Sequence, residues 1–514
     1  MRLIRFGKWT VISLLSVASL LAAGLNSPIA DLAEAGDRAG VQALLKKGTD
    51  VNATQIDGMT ALHWAAHKGD LQTAELLIRA GANVKAVNKY GVTPLSSAAE
   101  NGNGPMVELF LKAGADPNTV LAGGETVLMT AARTGDVETV GSLISHGADV
   151  NAKEAHASQT ALMWAAAEGN VQAVEALLKA GADFKTRDRF GFSPLLFASR
   201  EGKTNVLPAL LKAGEDPSEV VQPKFRQRPH GIAQANRGIQ GITAPGTSAL
   251  ALAVVNGHFE LATKLLEAGA NPNAITGQGW APLHAITWVR KSGTGDNSPP
   301  PEGSGTMSSL EMVKALVDHG ANINIRMTKK ENVGLTILNT KGATPFFLAA
   351  RTADAEMMRY LAKLGADPLM TNDDHSTPLM AAAGLGTRSP GEDAGTESEV
   401  IEAIQVALDL GNNIDAVDDK GETAMHGATY KNLPAAVQYL ADKGAKPEVW
   451  SQKNKQGWTP LWISLGHRFG NFKPAPETEA VLRKLMTAAG ISTEVDGFSN
   501  CDTHSKESCK PTAK

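Results

Sequence analysis

His63, His284 and His426 are the residues of this chain that most invite a chemical reading, because an imidazole can act as general base or metal ligand near neutral pH. None of them has the company such work requires. No H-E-x-x-H places two histidines on one helix face for zinc, no G-x-S-x-G presents a nucleophilic serine, and no Cys-x-x-Cys occurs. Gly102-Asn103-Gly104 and Gly303-Ser304-Gly305 are glycine-rich, but no lysine follows to reach a phosphate and neither stretch leads from a strand into a helix. Asp418, Asp419 and Lys420 resemble a calcium loop only superficially, since Asp beside Gly421 is ordinary turn chemistry. Nothing assembles a nucleophile, a base and an orienting group, so the chain reads as non-catalytic, with no cofactor and no metal.

The elements that carry these residues are helical pairs. In residues 57–86, DGMTALHWAAHKGDLQTAELLIRAGANVKA, Thr60 is an N-cap whose hydroxyl can accept an amide of the first helical turn. Leu62, Ala65 and Ala66 give the helix an apolar face with small side chains, so a neighbour can pack close. Gly69 can take the left-handed conformation that ends this helix, and Asp70 can cap the next one, which carries Ala74, Leu76, Leu77 and Ile78 and stops at Gly81. Such a unit cannot bury its own apolar face and needs copies on both sides.

The copies are present. Equivalents of Thr60 are Ser27, Thr93, Thr126, Thr160, Ser193, Ser248, Ala281, Thr344, Thr377, Thr423 and Thr459, with Ser or Thr at eleven of the twelve positions. Proline often follows, as at Pro94, Pro194 and Pro345, where its missing amide costs nothing. A closing glycine recurs in every copy, from Gly48 through Gly81 to Gly490. With TALH at 60–63, APLH at 281–284 and TAMH at 423–426, the pattern resembles the ankyrin repeat and its T-P-L-H signature. The resemblance covers roughly residues 27–490 and implies an all-α solenoid of about twelve helix–turn–helix repeats joined by hairpin fingers. It also implies that the three signature histidines hydrogen-bond within the stack, and Trp64 and Trp164 are expected to pack in the helical layer. Aromatic residues make up only 5% of the chain, which fits packing by Ala and Leu.

Residues 1–26 differ in kind. Arg2, Arg5 and Lys8 precede an apolar run from Val11 to Ala23 that ends in small residues, the layout of a signal peptide. The run is short for a membrane span, so cleavage between Leu25 and Asp31 is expected and no stable span in the mature chain. Removing the leader takes the formal charge from −4 to −7, because it holds no acid. A mildly acidic chain gives no reason to expect nucleic-acid binding. The expected location is therefore periplasmic or secreted, as in an exported, bacterial-type member of the family. The polar tail, residues 491–514, holds Cys501 and Cys509, and in an exported chain a disulfide closing that loop is the natural reading. Cys501, His504 and Cys509 are too few for a convincing metal site.

The second half of the array is irregular. Insertions near 290–307, 385–397 and 466–476 fall in the turn between the two helices of a repeat, and those near 217–246 and 327–340 fall in the fingers. Both long fingers interrupt the same linker position and are expected to project from one edge. The first carries Lys224, Arg226, Arg228 and Arg237 with no acid between Gln222 and Gly241, a local reversal of sign. By the resemblance, partners meet the fingers and the ends of the first helices. The positions this selects include Lys89, Tyr90, Arg187, Arg189, Phe190 and Phe192 in the fingers and Arg133, Arg200, Trp288 and Arg351 on the helices. Aromatic and Arg side chains are the types that anchor interfaces. The expectation is an exported, non-catalytic scaffold for an unidentified protein, with Arg226, Arg228 and Trp288 near an acidic surface of it. The alternative is a small-molecule or glycan-binding protein with a pocket formed by the insertions.

Overall fold

The computed structural model describes residues 27–222, 244–291, 303–330, 336–391, 393–468 and 473–494. The leader, most of the first long finger with Arg226 and Arg228, and the tail with Cys501 and Cys509 lie outside them. The chain divides into two compact units, Met1–Arg228 and Pro229–Lys514, and the division falls inside the first long finger. Among the described residues there are helices and isolated β-bridges but no strand, and no helix is long and apolar enough to cross a membrane. The all-α solenoid fold is as expected from the repeats.

In the first unit, the helices Ala61–Lys68 and Leu71–Arg79 show how one copy is built. Thr60 Oγ1 accepts the His63 amide at 3.3 Å, while His63 Nδ1 accepts the Thr60 amide at 3.2 Å, so two orphan donors are satisfied reciprocally. Gly69 closes the helix at φ +70, and Asp70 caps the next by accepting from the Thr73 amide at 3.1 Å. Ala61, Leu62, Ala65 and Ala66 are buried as this helix packs between its equivalents Pro28–Ala35 and Pro94–Glu100. Across both units each cap position precedes a helix, and each closing glycine has a φ between +71 and +106.

The fingers are held by polar side chains that turn inward. Asn88 Oδ1 accepts the amides of Tyr90 and Val92, each at 2.9 Å, and Asp188 Oδ1 accepts those of Phe190 and Phe192, each at 2.8 Å. Asn372, Asp418 and Asn454 fill the same role in the second unit. Adjacent fingers are tied through single backbone bonds, such as Lys89 N to Asp57 O at 2.8 Å. Asp418 is thus a turn residue, as its sequence setting implies. A second ladder runs along the finger roots: Asn52 donates to Gly81 O and accepts from the Asn83 amide, and Asn118, Asn151 and Asn273 repeat this.

The second unit departs from regularity where the insertions lie. The loop 384–396 separates Pro378–Ala383 from Glu397–Asp409. The second long finger, residues 321–343, is described on either side of 331–335. Its returning limb folds back, with Thr336 bridged to Thr387 and with Leu338 buried. An extended backbone with free donors and an apolar Leu gains more from docking than from hydration.

Candidate protein-binding surface

The three signature histidines are withdrawn from chemistry. His284 Nδ1 accepts from the Ala281 amide, and its Nε2 faces the carbonyls of Ile325 and Ala343, which fixes a neutral ring. Burial pushes its pKa down to about 4, and does the same to His426. His63 is lowered by burial too, with Nε2 3.1 Å from Val92 O. Among the described residues no group of three or more His, Cys, Asp or Glu side chains is arranged to hold a metal ion.

What the first unit presents instead is a face between the fingers and the ends of the first helices. Trp64 and Trp164 lie at its margin, half-buried in the helical layer. Their indole N–H groups reach across to finger residues, Trp64 to Gln55 Oε1 at 2.7 Å and Trp164 to Gln159 Oε1 at 3.0 Å. The partner glutamines stand five residues before the cap in one case and one residue before it in the other, so no fixed spacing signals the pair. His67 meets the Trp64 ring edge-on at 5.8 Å, and the exposed Arg133 guanidinium sits 5.8 Å from the Trp164 ring centre. Tyr90 at 69% exposure and Phe190 at 43% stand on the fingers, with Lys89 and Arg189 exposed beside them.

Other expected contacts are used internally. Phe192 is only 2% exposed and lies under Arg200, so it is a packing residue and not a surface anchor. Arg200 stacks on Phe192 and Phe197 at 5.3 and 4.9 Å. Arg187 pairs with Glu219 and donates to the carbonyls of Phe184, Lys185 and Thr186, which spends its guanidinium on the finger. Beside it, burial and the neighbouring Glu219 push the Glu215 carboxyl well above the usual carboxylate range.

In the second unit three of the equivalent positions, Arg351, Gly384 and Tyr430, are covered. Trp288 is half-buried edge-on against the buried Trp280, 5.5 Å away. Arg351 is buried with Asp393 of the loop 384–396 at 3.1 Å, so it too is unavailable to a partner. Tyr430 and Lys431 are buried as well, Lys431 donating to Ala394 O and Tyr430 to Glu422 Oε1 at 2.7 Å. Arg290 bridges to Asp354 at 2.6 Å and Glu356 at 2.7 Å, and Lys291 reaches Glu399 at 2.7 Å. Cations that an open face would display here fasten the insertions down.

Comparison with known proteins agrees with this architecture. The family described as "Ankyrin repeats (3 copies)" matches residues 29–121, 128–221 and 307–389, and that described as "Ankyrin repeat" matches residues 246–277. Among curated proteins the chain is similar to ankyrin repeat and SOCS box protein 16 of Homo sapiens, with 30% identity over 220 residues. That stretch is 43% of this chain and 40% of the human protein, so the similarity spans less than half of either.

Proposed function

The chain belongs to the ankyrin-repeat family, and from that premise we propose that it is a non-catalytic scaffold that holds another protein on the first-helix face of its first unit. The observation that carries this reading is the display seven residues after the caps Thr60, Thr93 and Thr126. His67, Glu100 and Arg133 are exposed there, whereas Arg351 and Tyr430 are buried. Arg133 against Trp164, with Tyr90, Phe190, Lys89 and Arg189 on the fingers, supplies aromatic and cationic anchors at low ordering cost. Lys89, Arg133 and Arg189 favour a partner with acidic groups opposite them, although Glu100 belongs to the same face. The reading includes export, supported by the charged and apolar leader, and places the mature chain in the periplasm or outside the cell. A small-molecule or glycan pocket among the insertions has less support, because Leu385, Thr387 and Asp393 of the loop 384–396 are buried against the chain's own residues.

The test is affinity capture from the exported fraction with the wild-type chain and with a Tyr90→Ala, Arg133→Glu, Phe190→Ala variant. The reading expects a protein retained by the first and lost by the second at unchanged helical content. Equal retention by both would move the site off this face.

A further inference from the structure

Two departures from the repeat meet in the second unit, and they meet as a ligand meets a groove. Between Gly320 and Thr344 the chain takes 24 residues where 12 is usual, far more than the connection needs. The end of that excess, Thr336–Leu338, meets the turn after helix Pro378–Ala383, and the ordinary finger residues Asn339–Lys341 that follow it meet the finger at Asn372–Asp374. Its polar groups are engaged in turn. Thr336 Oγ1 donates to Gly386 O at 3.0 Å, and the Ile337 amide donates to the same oxygen at 2.9 Å. Asn339 is read at both ends, its Nδ2 donating to Asp374 Oδ1 and its carbonyl accepting from Asn372 Nδ2, each at 2.8 Å. Between these fixed points Leu338 is 3% exposed.

The receiving side is shaped for close backbone approach. Gly386 has φ +81, and a Cβ there would stand 2.6 Å from the Leu338 nitrogen, so no larger residue fits while the segment is docked. A main-chain bond to an edge carbonyl, one seated apolar side chain and one amide read by two partners make a recognition mode for an extended strand. None of these contacts belongs to helix stacking.

We propose that the turn after helix Pro378–Ala383, together with the finger at Asn372–Asp374, forms a binding groove for an extended peptide, occupied in this chain by its own segment Thr336–Lys341. The ligand class is a strand bearing a hydroxyl, a β-branched residue, a leucine and an amide in succession. A tether of this kind gives an effective concentration of roughly millimolar, so a weak contact is filled in cis and competing peptides are excluded. The groove lies in the second unit and is independent of the face assigned above to a protein partner.

The experiment titrates a fluorescein-labelled peptide of residues 336–343 with the full chain and reads anisotropy. Leu338→Ser should free the groove and bind the peptide at least tenfold more tightly than wild type. Adding Gly386→Val should abolish that gain. Leu338→Ser with intact helical circular dichroism and no gain over wild type would overturn the proposal and make the contact a structural seam. If Leu338→Ser loses helical signal, Thr336→Val, which removes the hydroxyl that donates to Gly386 O and accepts from the Leu338 amide, is read by the same two outcomes.

Discussion

Arg133 in the first unit and Arg351 in the second stand at the same position of their repeats, seven residues past the cap, and meet opposite surroundings. Arg133 is exposed and lies over the Trp164 ring, while Arg351 is buried against Asp393. The backbone around them is equivalent: a Thr cap accepts an amide three residues on, at Met129 in one case and Phe347 in the other. The repeat therefore sets where the side chain starts, and the insertions decide whether it ends in water. One unit uses the position for display, the other to anchor its own loops.

The sharpest way to break this contrast is truncation of the two arginines. Arg351→Ala should cost about 3–5 kcal/mol, because it takes the guanidinium from the buried Asp393 and leaves only Thr387 Oγ1 and the Ala394 amide as its hydrogen-bond donors. Arg133→Ala should stay within about 0.5 kcal/mol, as an exposed surface change does. Urea denaturation of the full chain measures both, and equal costs would erase the distinction between the units.

Acid separates the units next. The folded-state pKa is lowered in His63, His284 and His426, so their stabilisation is complete above the unfolded value near 6.5 and is lost as pH falls from there. For the two in the second unit the loss continues down to about pH 4. For those two the shift corresponds to roughly 3 kcal/mol each over that window. His284→Gln with His426→Gln should flatten the acid limb of a stability-versus-pH curve more than His63→Gln does. Glu215 works with the opposite sign in the first unit. Its pKa is raised, so its contribution is complete below the ordinary carboxylate value and declines as pH rises. Glu215→Gln should stabilise the chain at pH 8 and not at pH 4.

The closing glycines should show the smallest difference. Gly181 at φ +88 and Gly365 at φ +97 have nothing within 4 Å of a built Cβ, so substitution there is a backbone cost alone. Valine at either should cost about 1–2 kcal/mol, alike in both units, because a β-branched residue resists the left-handed region. A large difference between them would mean that the units do not share one helix ending.

The features legible in the sequence are those decided within a few residues. Thr60 and His63 satisfy each other's amides three positions apart, and Gly81 answers a local demand for positive φ. Burial of surface candidates was not legible, because it depends on residues far along the chain. Arg187 is taken by Glu219, and Arg351 by Asp393, a residue of an insertion with no repeat to align it. Phe192 lies two residues past the exposed Phe190, and the left-handed turn at Gly191, φ +87, between them lets one ring face out and the other in. The partners of Trp64 and Trp164, Gln55 and Gln159, were not legible either, because they lie at different distances from their caps.

Amide hydrogen exchange of the full chain, with and without the protein captured by its wild-type form, tests the central claim most directly. The account predicts new protection in residues 85–92, 130–135, 162–168 and 187–191 of the first unit, with 378–390 unchanged. Protection confined to 378–390 and the adjoining finger, with the first unit exchanging as before, would contradict it.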